Sequence, residues 1–424
     1  MGLSRHSGIC AALLLAAYTT LGGCSGGSPA GTASPTASAS NPPPPAATAT
    51  PAATLATPAA SPAATPSAQS AWDEPDNASL PDATASNLQA QLAGFVSGSK
   101  VIGLSAAVVS PKGSWAGAAG VDAAGTAVKP TSAFSIASVT KTFVAAEVLL
   151  LASHGKIDLD APVTQYLTLP FETNGATIRQ LATMTSGFPG VPDDVLNVDV
   201  PKNLTRVWTA EEIVALAKDQ PRLGTLGGPG RYNGVNYYVL GMVIEKVTGE
   251  PLATVLRRDL LAPAGLDRIW MQVAEQPQPP LTVAVDRTNA KVVDPASGYL
   301  PSLASASTGV GGAGMAADAP SLARWGYLLY GGRIIDGTLV ATMTTQVTET
   351  DAGGYGFGTM VADFQGATIV GHVGDYIQYS SVLLVWPSTR TAVALLAPAP
   401  GLSEGDGAKL PGWAITLYQQ LLGG

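Results

Sequence analysis

The sequence predicts an α/β (α+β) fold: one antiparallel sheet built from both chain ends, flanked by helices, with a mainly helical insert between them. Three observations point there. Apolar, β-branched runs separated by turn residues sit early, at Val101 to Val109 and Trp115 to Val121. More such runs sit late, at Tyr355 to Val361, Ala367 to Val370, Ser380 to Trp386 and Thr391 to Leu396. Between the two groups, apolar residues recur at helical spacing. Strands at the two ends with helices between them close into a single layered unit if the ends pair.

The elements follow in order. The ordered fold is expected to begin near Pro81 or Asp82, in a domain spanning 76–424. Its α/β part covers about 76–140 and 305–424, and its helical part about 141–304. Ser86 is read as the cap of a short helix through Leu88, Leu92, Phe95 and Val96. Pro111-Lys112-Gly113 turns the first two strands into a hairpin. A helix opening at Ser138 carries Phe143, Val144, Val148, Leu149, Leu150 and Leu151 and stops at Gly155, about four turns on. His154 beside that glycine suits the negative end of the helix dipole. Thr177 to Phe188 reads as a capped short helix ending in a glycine. Further helices are expected at Ala210 to Ala217, from Met242 to Gly249, at Leu252 to Leu261, at Ser321 to Leu329 and at Trp413 to Leu422. Gly309-Val310-Gly311-Gly312-Ala313-Gly314 formally matches a dinucleotide fingerprint. No strand precedes it and no βαβ unit surrounds it, so it is read as a flexible turn.

The chain has 424 residues and a formal charge of −8. An acidic chain without a basic run is a poor nucleic-acid binder, so none is expected as a partner. Arg5 and His6 precede an apolar run, Ile9 to Tyr18, too short to span a bilayer. With Leu21-Gly22-Gly23-Cys24 this reads as a secretory signal over 1–23. From Ser25 to about Ser70 the composition is almost wholly Ala, Pro, Ser, Thr and Gly with no charge, so 24–75 is expected to be Cys24 and a disordered tether. As a coil, its central ~46 residues span roughly 35–40 Å. Cys10 and Cys24 are the two cysteines, so the mature domain is expected to have no disulfide, thiol nucleophile or thiolate metal site. Three scattered histidines do not suggest zinc. No metal and no cofactor are expected.

The chemistry centres on Phe134 to Phe143, which places Ser138 three residues before Lys141 at the mouth of an apolar helix. Residues three apart stand one above the other on a helix, so hydroxyl and amine can meet. Serine needs a neighbouring base to act as a nucleophile. An amine serves as that base if desolvation and the helix dipole lower its pKa. Backbone N–H groups beside the hydroxyl suit an oxyanion. Taken alone, Ser-x-x-Lys also describes a helix cap followed by a solvated charge.

Five stretches in order carry a resemblance. Phe134 to Phe143, Thr177 to Phe188, Pro229 to Gly249, Tyr355-Gly356-Phe357-Gly358 and Gly371-His372-Val373-Gly374 resemble the motifs of the serine β-lactamase-like superfamily. The closest branch contains class C β-lactamases, D-Ala-D-Ala carboxypeptidases and family VIII esterases. The resemblance covers roughly Leu88 to Leu422 and implies a β-lactamase/DD-peptidase-like fold. It implies that Ser138 becomes acylated, that Lys141 accepts or tunes its proton, and that Tyr232 shuttles the proton to the leaving group. His372, Val373 and Gly374 match the third motif on a strand lining the cleft, and the oxyanion donors would be the backbone N–H groups of Ser138 and Asp375. Leu21 to Cys24 resembles a lipobox, which implies lipidation at Cys24.

Two departures stand out. The family's second motif reads Tyr-x-Asn, whereas this chain has Tyr232-Asn233-Gly234; Asn233 or Asn236 is left to supply the missing amide. Val373 stands where carboxypeptidases often carry a hydroxyl that binds the substrate carboxylate. One lost charge-assisted bond costs on the order of 1.5–3 kcal/mol. The resulting expectation is an exported, lipid-anchored, monomeric serine hydrolase facing the cell wall or periplasm. It would act on a small-molecule or peptide substrate of the cell envelope, in the manner of a D-Ala-D-Ala carboxypeptidase or β-lactamase. A family VIII-type esterase and a non-catalytic penicillin- or peptidoglycan-binding protein are the alternatives.

Overall fold

The computed structural model describes residues 71–75, 78–192, 202–275, 281–284, 302–376, 378–405 and 408–423. The expected signal, Cys24 and nearly all of the tether lie outside them. Among the described residues no helix is long and apolar enough to cross a membrane.

The strands are β1 Gly103–Ser110, β2 Gly113–Gly120, β3 Phe134–Ser135, β4 Ile269–Met271, β5 Met315–Ala317, β6 Thr348–Thr350, β7 Gly353–Tyr355, β8 Met360–Phe364, β9 Ala367–Tyr376, β10 Tyr379–Trp386 and β11 Thr391–Ala397. Eight of them form one sheet in the order β2-β1-β11-β10-β9-β8-β7-β6. The chain ends meet where β1 pairs antiparallel with β11, with Ser105 opposite Leu396 and Val109 opposite Ala392. A small second sheet has the order β3-β5-β4.

The helices are α1 Asp82–Ser97, α2 Thr140–Ser153, α3 Ile178–Ala182, α4 Ala210–Ala215, α5 Gly234–Thr248, α6 Leu252–Leu256, α7 Leu303–Ser307, α8 Val310–Ala313, α9 Ala319–Tyr330, α10 Gly337–Thr344 and α11 Leu410–Leu422. Both faces of the central strands are buried. On β10, Val382, Leu384 and Trp386 point to one face, where they pack with Leu88, Leu92 and Phe95 of α1 and Leu410, Leu417 and Tyr418 of α11. The alternate residues, Leu383 and Val385, join the inner core with Trp325 of α9. This is the two-residue period of a strand with each face covered. Trp325 stacks on Phe143 of α2, ring centroids 3.8 Å apart and planes within 10°. Its indole nitrogen donates to Thr142 Oγ1 at 3.0 Å. The sheet thus holds α2 through α9, and α2, buried from Thr140 through Leu149, is a central helix rather than a surface one.

Several expectations need correction. The ordered fold starts before Pro81: Trp72 is buried, donates its backbone N–H to Gly331 O at 2.7 Å and meets Tyr327 edge-on. Helix α1 begins at Asp82 with Pro81 at its N-cap, so Ser86 caps nothing. The Tyr355 to Val361 run divides into β7 and β8, because Gly356 to Thr359 turns, with the Gly356 N–H bonded to Thr359 O and Gly358 at φ 71. The glycine-rich run is a buried helical turn, α8, packed on α5. The third-motif residues fall inside a strand of ten residues, longer than expected.

Glu147, on α2, is fully buried, and neither carboxyl oxygen has a hydrogen-bond partner among the described residues. Burial, followed by the nearby Asp259 carboxylate, pushes its pKa up to about 8. Between about pH 4.5 and 8 the unfolded chain ionises this group while the folded one keeps it protonated, so stability falls as pH rises across that window. At pH 7 the cost is on the order of 3 kcal/mol. Glu147→Gln is expected to raise the melting temperature at pH 8 and to gain nothing near pH 4.5. Thermal melts at the two pH values check this, and a variant less stable than wild type at pH 8 contradicts it.

Candidate active site

Ser138 lies in a 3₁₀ turn, Ala137–Val139, between β3 and α2. Ala137 adopts φ 49, a left-handed conformation costly for a residue with a Cβ. The turn is held from three sides. Ile136 N–H donates to Met315 O at 3.0 Å, Ser381 Oγ donates to Ile136 O at 2.6 Å, and Met315 N–H donates to Thr140 Oγ1 at 3.1 Å. Gly374 of β9 presses on the same turn. A Cβ there would stand 2.7 Å from Ile136 O and 2.9 Å from the Ala137 Cβ, so only glycine allows the approach.

Lys141, one turn along, is 2% exposed. Its Nζ donates to Ser138 Oγ at 3.0 Å and to the Gly312 carbonyl at 2.8 Å. Burial brings its pKa down to about 7, against the opposing pull of Glu404. The amine is therefore substantially neutral at physiological pH and can accept the serine proton. It also lies 5.0 Å from the centre of the Tyr232 ring and 5.7 Å from that of Tyr237.

Tyr232 faces Ser138, but its buried hydroxyl is outside hydrogen-bonding geometry with any described partner. Burial and then Glu404 hold its pKa well above 10, and the adjacent Ser138 hydroxyl opposes them only weakly. Lys141 is not among the groups that lower it. Tyr232 rests as a phenol with a proton to give. Its backbone N–H is fixed by Asp351 Oδ1 at 3.0 Å.

His372 reaches the site, its ring 5.9 Å from that of Tyr232, but both ring nitrogens are occupied. Nδ1–H donates to Val373 O at 2.6 Å, which leaves Nε2 to accept from the Tyr355 hydroxyl at 3.2 Å. Burial, then Lys141, lowers its pKa to about 3. A neutral, doubly bonded imidazole positions Tyr355 and the strand; it has no free nitrogen for substrate. Val373 does not line the cleft. Strand alternation turns it to the outer core with Ile369 and Val382. The Asp375 side chain faces the same way: its carboxylate accepts from the Ser380 hydroxyl and from the N–H groups of Gly401, Ser403 and Glu404.

The amide missing at position 234 is not replaced by its neighbours. Asn233 caps α5, accepting from Val235 N–H at 3.0 Å, and its Nδ2 donates to the carbonyls of Phe188 and Pro189. Asn236 accepts from Ser186 Oγ at 2.6 Å and approaches Met184 sulfur. A Cβ on Gly234 would lie 3.2 Å from the Tyr238 hydroxyl, so Tyr238 fills this space. The second acceptor for Lys141 comes instead from the Gly312 carbonyl. The ring of Tyr238 lies against Gly312, 2.7 Å from where a Cβ would stand. Sequence reasoning missed Gly312, Tyr238, Tyr355 and Glu404; the Gly309 to Gly314 run was the available signal for the first of them.

If neutral Lys141 is the base, kcat/KM for a p-nitrophenyl ester should rise with pH, bend near 7 and level off above. Removing the Glu404 charge removes the interaction that raises the Lys141 pKa. The bend in Glu404→Gln should therefore move to lower pH. A profile flat from pH 5 to 9, or a bend moving upward, contradicts the assignment.

The comparisons agree with this geometry. A family model described as Beta-lactamase matches residues 88–414. A protein of Bacillus subtilis (strain 168) described as "Putative penicillin-binding protein PbpX" is 28% identical over 186 residues, 41% of this chain and 41% of its own. Esterase EstB of Burkholderia gladioli is 32% identical over 165 residues, 34% of this chain and 39% of its own. The matched stretches thus span about two fifths of each of these curated relatives. Among solved structures, a D-stereospecific amidohydrolase from Streptomyces sp. superposes with a TM-score of 0.66 at 27% identity, covering 79% of this chain and 98% of that one. With the family model matching more than three quarters of its length, the chain belongs to the Beta-lactamase family.

Proposed function

We propose that this chain is a serine hydrolase that forms an acyl-enzyme at Ser138 and cleaves an ester or amide lacking a free carboxylate. The observation behind it is the buried amine of Lys141 bonded to Ser138 Oγ at 3.0 Å. Lys141 Nζ takes the hydroxyl proton as Oγ attacks the substrate carbonyl carbon. The oxyanion that forms is assigned to the backbone N–H groups of Ser138 and Asp375. On collapse, the bond to the leaving group breaks and the Tyr232 phenol gives its proton to the departing nitrogen or oxygen. The Lys141 ammonium then returns a proton to Tyr232. Water attacks the acyl ester with Lys141 as base, and the same proton goes back to Ser138 Oγ as the acid leaves.

The preference for a substrate without a carboxylate has its own support. A terminal carboxylate would find no cation in His372, which is neutral with both ring nitrogens occupied, and would be repelled by the Glu404 carboxylate. A D-Ala-D-Ala carboxypeptidase, the first expectation from sequence, is therefore the less favoured reading. Relatives named as an esterase and a D-stereospecific amidohydrolase fit the proposal. Export and anchoring through lipidated Cys24 belong to it too, on the sequence pattern of residues 1–24.

Intact-protein mass spectrometry tests the nucleophile. A fluorophosphonate should add to the wild-type protein once and leave Ser138→Ala unmodified. Turnover of p-nitrophenyl butyrate should exceed that of a D-Ala-D-Ala dipeptide. An adduct surviving in Ser138→Ala refutes the nucleophile, and efficient release of D-alanine from the dipeptide refutes the substrate class.

A further inference from the structure

The loop after β11 is fastened to the catalytic turn by a short chain of hydrogen bonds. The N–H groups of Gly401, Ser403 and Glu404 donate to the Asp375 carboxylate at 2.8, 3.0 and 2.8 Å. Ser403 Oγ donates to Ser381 O at 2.8 Å, and Ser381 Oγ donates to Ile136 O, two residues before Ser138. Glu404 therefore has a backbone fixed by the same strands that shape the cleft, and its carboxylate acts on both Lys141 and Tyr232.

That carboxylate makes no hydrogen bond or ion pair with any described residue. The charged groups around it are Asp375 and Asp351, both already accepting backbone N–H groups, and Lys141, whose Nζ is turned to Ser138 and Gly312. A second polar group in the same cleft, the buried Tyr232 hydroxyl, also waits without a partner. An unpaired carboxylate at the edge of a desolvated cleft is costly unless a cation arrives with the ligand.

We propose that Glu404 is the specificity-determining residue of the cleft and receives the ammonium of a substrate with a free amine, such as an amino-acid amide or ester. This rests on the reading of Ser138 as an acylated nucleophile. Burial and the two neighbouring aspartates bring the Glu404 pKa up to about 7, so an arriving ammonium finds it readily ionised from neutral pH upward. The same charge repels a substrate carboxylate, in line with the substrate class proposed above.

The test compares D-alanine p-nitroanilide with its N-acetyl derivative at pH 8, in wild type and Glu404→Gln. The wild-type enzyme should favour the free amine, and in Glu404→Gln the ratio of the two kcat/KM values should fall roughly ten- to a hundredfold, the worth of one charge-assisted bond. A ratio unchanged by the substitution overturns the proposal while leaving the hydrolase intact, as does an equal loss on both substrates. Without any variant, D-alaninamide should inhibit ester turnover by the wild-type enzyme more strongly than N-acetyl-D-alaninamide; equal inhibition overturns the proposal. If the wild-type protein cleaves neither anilide and takes no fluorophosphonate, the hydrolase reading fails first and this inference falls with it.

Discussion

Everything in this structure turns on keeping one lysine amine dry. An ammonium of ordinary pKa would be fully charged at neutral pH and useless as a base toward serine. Lys141 sits on a helix buried on all sides, with one donor bond to Ser138 Oγ and another to the Gly312 carbonyl. Both partners are neutral acceptors. The Glu404 carboxylate raises the lysine pKa without overcoming burial.

The surrounding architecture makes that desolvation possible. The sheet is closed by pairing the two chain ends, and α9 transmits its inner face to α2 through the Trp325–Phe143 stack. Gly374 lets β9 press on the nucleophile turn, and Gly312 lets α8 bring its carbonyl to the amine. His372 and Tyr232 share this dryness: one stays neutral and the other stays protonated. The site thus holds a neutral base and a neutral acid around one hydroxyl, with the Glu404 carboxylate as the charge that acts on both.

How much of this was legible in the residues varied with the range of the interactions. The Ser138–Lys141 contact is local, three residues apart, so its spacing showed that the two groups could meet, and the motifs further along the chain made that the favoured reading. The sheet from both termini was also legible, because buried strands announce themselves by composition. The Gly312 carbonyl was not, since it comes from 171 residues away and its sequence looked like a turn. Val373 was assigned to the wrong face because its orientation depends on strand register, which one sequence does not disclose. His372 looked catalytic by motif, yet its hydrogen bonds to Tyr355 and to the next carbonyl occupy both nitrogens. Glu404 gave no signal, because its meaning depends on a loop pinned to Asp375, 29 residues away. Trp72, an isolated aromatic after a low-complexity stretch, could have marked a start earlier than Pro81.

The central claim is a titration, and it can be observed directly at the atom concerned. With ¹³Cε-lysine incorporated, the Lys141 resonance should be found by its loss in Lys141→Arg and followed by NMR from pH 5 to 11. The account requires a midpoint near 7. A midpoint above 10 would mean a charged, solvated amine beside Ser138 and would contradict it.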